Sequence, residues 1–225
     1  MFFGPITLFL VIFFFFYILF FSFMVQVNLI ALAFTKIGIP SQYVFSALFF
    51  SLVGSFVNIP ISRIPQQTMF DEETVNIFWA RYRIPKRRKM ETVLAVNLGG
   101  AVIPVLISVY LLLKTGLWAS AAIATGVMTI ITYRFARPVK GLGIALPAFL
   151  PAIFAALISI LVAYPMAPVV AYICGALGTL IGADILNLKK IADLGAPVAS
   201  IGGAGTFDGI FLNAIIAVLL AAFLS

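Results

Sequence analysis

The 225-residue chain contains no histidine, a single cysteine (Cys174) and only 9% charged residues. The absence of histidine excludes histidine-based triads, histidine-ligated metals and histidine proton relays. A lone cysteine excludes an internal disulfide framework. Scarce charge together with 64% hydrophobic residues and a mean hydropathy of +1.20 excludes an ordinary soluble domain, which is about a quarter charged. Intrinsic disorder, which needs low hydrophobicity, is excluded as well. Also missing are a phosphate-binding Gly-x-x-x-x-Gly-Lys-Ser/Thr loop, a His-Glu-x-x-His zinc motif and a dinucleotide fingerprint following a strand, so no cofactor or metal is expected. What is present suits a lipid bilayer.

A helix needs about 20 apolar residues to cross the hydrocarbon core. Uncharged stretches of that order predict an all-α, polytopic membrane bundle of about seven crossings, forming one domain over residues 1–225. The expected crossings are Phe2–Thr35, Tyr43–Ile61, Thr92–Leu113, Leu117–Tyr133, Leu142–Tyr164, Ala167–Leu188 and Asp208–Leu224. No cleavable signal peptide is expected, since the first apolar run is too long and no basic residue precedes it. Seven crossings put twelve of the 14 basic residues on the side of the N-terminus and leave only Lys36 and Lys114 opposite. That segregation predicts a cytoplasmic N-terminus.

The polar segment 62–91 is the expected cytoplasmic loop. Within it Asp71, Glu72 and Glu73 suit a helix start, and Val75, Phe78, Trp79 and Tyr82 follow at helical spacing before Pro85, which predicts an amphipathic surface helix. The run Lys86, Arg87, Arg88 and Lys89 serves as an orientation signal and interfacial anchor, with anionic lipid as the partner it fits; nucleic acid is not expected.

Carboxylates inside a membrane are functional candidates because burying an unpaired charge costs several kcal/mol. Only Asp184, Asp193 and Asp208 lie outside the stretch from Asp71 to Glu91. Asp184 precedes the pair Lys189-Lys190 by five residues, about 7 Å of helix rise, and Asp208 enters the last helix from the same side through Gly202-Gly203-Ala204-Gly205-Thr206. Asn58, Asn97 and Asn187 belong to the same level. Asp184 and Asp208 are therefore the candidate catalytic pair, with Asn58, Asn97, Asn187, Gly203, Gly205 and Thr206 as supporting or substrate-binding residues. Gly178 and Gly182, with Gly175 one turn earlier, predict a close helix approach.

Three strings carry a resemblance: Gly54-Ser55-Phe56-Val57-Asn58-Ile59-Pro60, Gly182-Ala183-Asp184-Ile185-Leu186-Asn187-Leu188, and the run from Ser200 to Leu212. They resemble a prokaryotic integral-membrane family catalogued as domain of unknown function 1614, which implies a plasma-membrane location. A looser similarity is to the presenilin and prepilin-peptidase class of intramembrane aspartyl proteases, in which two membrane aspartates act together. Asp184 follows Gly-Ala where that class has Gly-x-Gly, and Ala145-Leu146-Pro147 precedes both aspartates.

Three functions suit these residues. Facing carboxyls in low dielectric cannot both ionise cheaply and share one proton, which is the arrangement an aspartyl protease uses on a membrane-embedded peptide. The same carboxyls with amides describe a proton or cation site of a transporter, where Pro60, Pro104, Pro147, Pro151 and Gly205 would interrupt helices. Paired instead with Arg134 or Lys189, the aspartates would hold together a non-catalytic assembly or lipid-binding protein.

Overall fold

The computed structural model describes residues 5–65, 69–77, 80–88, 91–139, 143–147, 149–191, 198–203 and 209–225. The chain is mostly helical. Helix α1 (Pro5–Lys36) is followed by α2 (Ser41–Gly54), and a turn at Gly38, whose φ of 82° suits glycine, joins them. A third helix opens with a π turn over Leu98–Val102 and continues as α3 (Ile103–Thr115), which ends on Gly116 in the left-handed conformation. Helix α4 (Trp118–Phe135) and α5 (Leu150–Ala163) come next. Helix α6 (Ala167–Ile173) then runs on through π turns at Cys174–Gly178 and Leu180–Asp184 and a 3-10 turn at Ile185–Asn187 into α7 (Leu188–Ile191). Helix α8 (Gly209–Leu224) closes the bundle. Three helical stretches are long and apolar enough to cross a membrane: Ile12–Lys36, Leu98–Thr115 and Ala167–Asn187. α2, α5 and α8 are shorter apolar helices.

The expectation of an all-α chain is corrected by a small β component. Strands β1 (Asn58–Pro65), β4 (Glu91–Asn97) and β7 (Val198–Ile201) form a sheet in the order β1-β4-β7, antiparallel between the first two and parallel between the last two. Two hairpins, β2 (Met69–Ile77) with β3 (Ala80–Arg88) and β5 (Arg137–Val139) with β6 (Gly143–Ala145), complete it. The helix in the expected second stretch therefore stops at Gly54 rather than Ile61, that in the third begins at Leu98 rather than Thr92, and that in the fifth at Leu150 rather than Leu142. Pro60 sits at the irregularity of β1, where the register shifts between Pro60 and Ser62, a position that tolerates a missing donor.

The expected surface helix over 71–82 is likewise a hairpin. Val75 stands opposite Tyr82 and Asp71 opposite Lys86; Phe78, Trp79 and Lys89 lie outside the described residues. Pro85 is no obstacle there, because a two-stranded ladder leaves one side of each strand unpaired.

Glycines fix the helix crossings. A Cβ on Gly178 would stand 2.6 Å from Met128 Cβ, and one on Gly182 would land on Thr132 Oγ1 and the Thr129 carbonyl, so the predicted close approach of this helix is made to α4. Thr132 Oγ1 donates to the Gly178 carbonyl at 2.9 Å across the same contact. Gly175 faces Ala155 of α5 and Ala214 of α8. A second crossing joins α2 to the π turn before α3, where Gly54 meets Gly99 and Ser51 Oγ donates to the Gly99 carbonyl at 3.1 Å. The C-terminal end of α1 seals the core through Phe34, whose ring lies 6.2 Å from that of Phe211 on α8.

Candidate functional site at the sheet end of the bundle

The sheet brings three chain passages to one level: β1 leaving α2, β4 entering the π turn before α3, and β7 leading towards α8. Asn97, the last residue of β4, is fully buried and uses its whole amide. Its Oδ1 accepts from the Gly100 N–H at 2.8 Å and caps the π turn, while Nδ2 donates to the Ser55 carbonyl at 2.7 Å and to Asn58 Oδ1 at 3.1 Å. Ser200 Oγ on β7 donates to the same Asn58 oxygen at 2.5 Å. Asn58 thus bridges the two other strands, and Asn97 ties the sheet to α2 and α3.

Asp184 joins this group from the long helix. Its Oδ2 accepts from the Gly202 N–H at 2.7 Å, immediately after β7 ends. Gly202 is in the left-handed region, φ 86°, and a Cβ there would press within 2.6 to 2.8 Å of Ala101 and Gly100. Only glycine fits both demands. The carboxylate, the strand end and the π turn capped by Asn97 are consequently packed as one unit.

Asp184 also marks a change of winding. It ends a π turn and begins a 3-10 turn, a local irregularity frequent at functional positions. Asn187 serves that irregularity: it is buried, its Nδ2 donates to the Gly182 and Ala183 carbonyls at 3.1 and 2.9 Å, and its Oδ1 accepts from Lys190 Nζ at 2.8 Å. The amide is therefore turned onto its own helix rather than towards the carboxylate. Lys190 in turn sits 4.9 Å from the centre of the Tyr133 ring on α4.

Asn58, Asn97 and Asp184 are thus brought together, with Gly203 beside them, its N–H 3.4 Å from the Ser200 carbonyl. Gly205, Thr206 and Asp208 lie outside the described residues. Among the residues whose side chains are described, which leaves out Lys189, no basic group pairs with Asp184, and the one ion pair, Arg63 with Glu91 at 3.8 Å, is exposed. Sequence reasoning missed Ser200, Ser55 and the exact partner of Asp184. The usable signal was Ser200-Ile201-Gly202, two β-branched or hydroxyl-bearing residues before a glycine that ends a strand.

A family model described as Protein of unknown function (DUF1614) matches residues 52–220. The chain belongs to the DUF1614 family. No curated protein and no solved structure matches it. The DUF1614 match takes in all three strands of the sheet, Asp184 and the entry to α8, while α1 and most of α2 precede it. The polar group around Asn97 and Asp184 therefore lies inside the shared region of the family.

Proposed function

We propose that this DUF1614 protein is a seven-crossing protein of a prokaryotic plasma membrane, N-terminus inside, that cleaves membrane-embedded peptide segments near the cytoplasmic face with Asp184 and Asp208. The strand directions support the topology: β1 runs against both β4 and β7, which are parallel to each other, and this suits a descending α2 and ascending α3 and α8. The distribution of basic residues supports the orientation.

The single observation that carries the reading is the 2.7 Å contact of Asp184 with the Gly202 N–H. It sets an acid at the end of an edge strand, β7, on the segment that leads into Asp208 and α8. An unwound peptide adding to the free side of β7 would run past this carboxyl, with main-chain hydrogen bonds holding it. With one proton between two aspartates, the ionised acid takes a proton from water as its oxygen attacks the peptide carbonyl. The protonated acid donates to the carbonyl oxygen, and a proton then passes to the departing amine. Lys86, Arg87, Arg88 and Lys89 fit anionic head groups at the same face.

The test is cleavage of a fluorogenic single-span peptide in liposomes. Asp184→Asn and Asp208→Asn are each expected to abolish cleavage while helical content and unfolding midpoint stay at the wild-type values; turnover by either variant overturns the reading. A second reading, cation or proton transport, is favoured by the change of helical winding at Asp184. It predicts liposome flux that Asp184→Asn removes, with no peptide cleaved.

A further inference from the structure

A hydroxyl buried in a helical bundle is ordinarily turned back on its own helix. Ser108, Thr132 and Ser159 are buried and do so, each donating to a carbonyl three or four residues earlier at 2.8 to 2.9 Å. Thr179 on the long helix does not. It is 3% exposed, and its Oγ1 has no hydrogen-bond partner among the described residues. A hydroxyl buried in that way is costly unless something meets it.

Thr179 lies between the π turns Cys174–Gly178 and Leu180–Asp184. A π turn bonds residues five apart instead of four, so residues four and five apart fall on one side of it. On that spacing Gly175, Thr179 and Asp184 face the same way. At Gly175 that way is towards α8, where a Cβ would stand 3.5 Å from Ala214 Cα and 3.7 Å from Ala217 Cβ. The two helices run in opposite senses, because Asp184 near the end of one bonds Gly202, which leads into the other. One turn from Gly175 towards Asp184 is Thr179. One turn from Ala217 towards Gly202 is Asn213, 7% exposed and the single polar side chain of α8.

We propose that Thr179, Asn213 and Asp184 hold one alkali-metal cation, with sodium as the ion tested, inside this end of the bundle. The donor set selects that class. Hydroxyl, amide and carboxylate all offer oxygen, the ligand of hard cations, while Cys174 Sγ is turned onto the Ala155 and Ala171 carbonyls and leaves a soft metal without its ligand. A single carboxylate supplies one charge, which suits a monovalent ion, and no described basic group competes for it. The site rests on neither reading of the function: a sodium ion at Asp184 can cross, or can stay and keep that acid ionised.

The test uses the full-length chain in detergent micelles, with radioactive sodium as the ligand and choline as the inert cation at equal ionic strength. Saturable binding is expected, with an unfolding midpoint that rises with sodium. Thr179→Val keeps the side-chain shape and deletes the oxygen, so binding should weaken at least about tenfold. In choline the same variant should unfold at or above the wild-type midpoint, because an unpaired buried hydroxyl has gone. Asn213→Leu should weaken binding likewise and Asp184→Asn should remove it, whereas Ser159→Ala, whose hydroxyl is committed to the Ala156 carbonyl, should leave it unchanged. Absence of saturable binding, or binding that Thr179→Val leaves intact, overturns the proposal. So does a Thr179→Val midpoint that falls as far in choline as in sodium, which makes the hydroxyl a structural contact. A midpoint that follows pH but not sodium gives the place to a proton and overturns it too. Thr179-dependent sodium binding without peptide cleavage by the wild type supports the site and ends the protease reading; cleavage without sodium binding does the reverse.

Discussion

The first helix and the long helix that begins at Ala167 are both strongly apolar, yet they occupy opposite situations. In the most apolar window of α1 no residue is buried, whereas 72% of the corresponding window of the Ala167–Asn187 stretch is buried. Apolarity alone does not separate them, because against lipid tails a phenylalanine gains little by moving from outside to inside. Side-chain size does. α1 is built of Phe13, Phe14, Phe15, Phe16, Phe20 and Phe21, all more than half exposed, while the long helix presents Ala171, Gly175, Ala176, Gly178, Gly182 and Ala183 to its neighbours. Small residues let backbones approach, and dispersion and interhelical hydrogen bonds such as Thr132 to Gly178 then hold the contact.

Breaking the close crossing should therefore have the largest effect. Gly182→Ala puts a methyl onto Thr132 Oγ1 and the backbone carbonyl of Thr129, neither of which is the free end of a flexible chain. We expect a loss of about 3 kcal/mol in unfolding free energy, at the upper end of overpacking costs, measured by denaturing-detergent titration in mixed micelles. Gly126→Ala on the facing helix is the internal control: with open space around it, it should leave stability unchanged or raised by under about 1 kcal/mol. Equal losses at the two glycines would mean that proximity to α4 is not what the small residues of the long helix supply.

A smaller loss is expected from Asn97, where polarity rather than size makes the contact. Asn97→Ala removes one acceptor and two donor interactions and leaves the Gly100 N–H and Ser55 carbonyl without their partner. About 2 kcal/mol is expected, with faster hydrogen exchange at the Gly100 amide as the local sign. An unchanged Gly100 exchange rate would show that the π turn does not depend on this cap.

The helix-packing face was legible because Gly178 and Gly182 recur at a spacing of four, and the gathering of Asn58, Asn97 and Asp184 was legible because they stand out in apolar surroundings. The strands were not. Asn58–Pro65 and Glu91–Asn97 continue apolar runs on either side, and an apolar run carries no period that separates a strand from a helix end. Ile59, Ile61, Ile64, Val93 and Val96 were the local hint, since β-branched residues favour extended backbone. In the hairpin the competing signal was stronger: Val75 and Tyr82 are seven residues apart, which matches two helical turns and equally a pair facing across two antiparallel strands. The partner of Asp184 was illegible for a different reason, since a backbone N–H has no letter in the sequence.

The smallest effect tests the exposed half of the comparison. Phe16 is 63% exposed, and among the described residues its ring partner is its chain neighbour Phe15, at 5.8 Å. If lipid is what surrounds this part of α1, Phe16→Ala trades one apolar surface against lipid for another and raises helix propensity slightly, so the unfolding free energy should move by no more than about 0.5 kcal/mol. The same measurement on Phe34→Ala, fully buried against Phe211, should cost about 3 kcal/mol, because there the deleted ring leaves a cavity inside the protein. Two residues of one type on one helix then differ only in what they touch. A loss at Phe16 approaching that at Phe34 would mean that protein, not lipid, covers the aromatic half of α1, and the contrast between the two helices would fall with it.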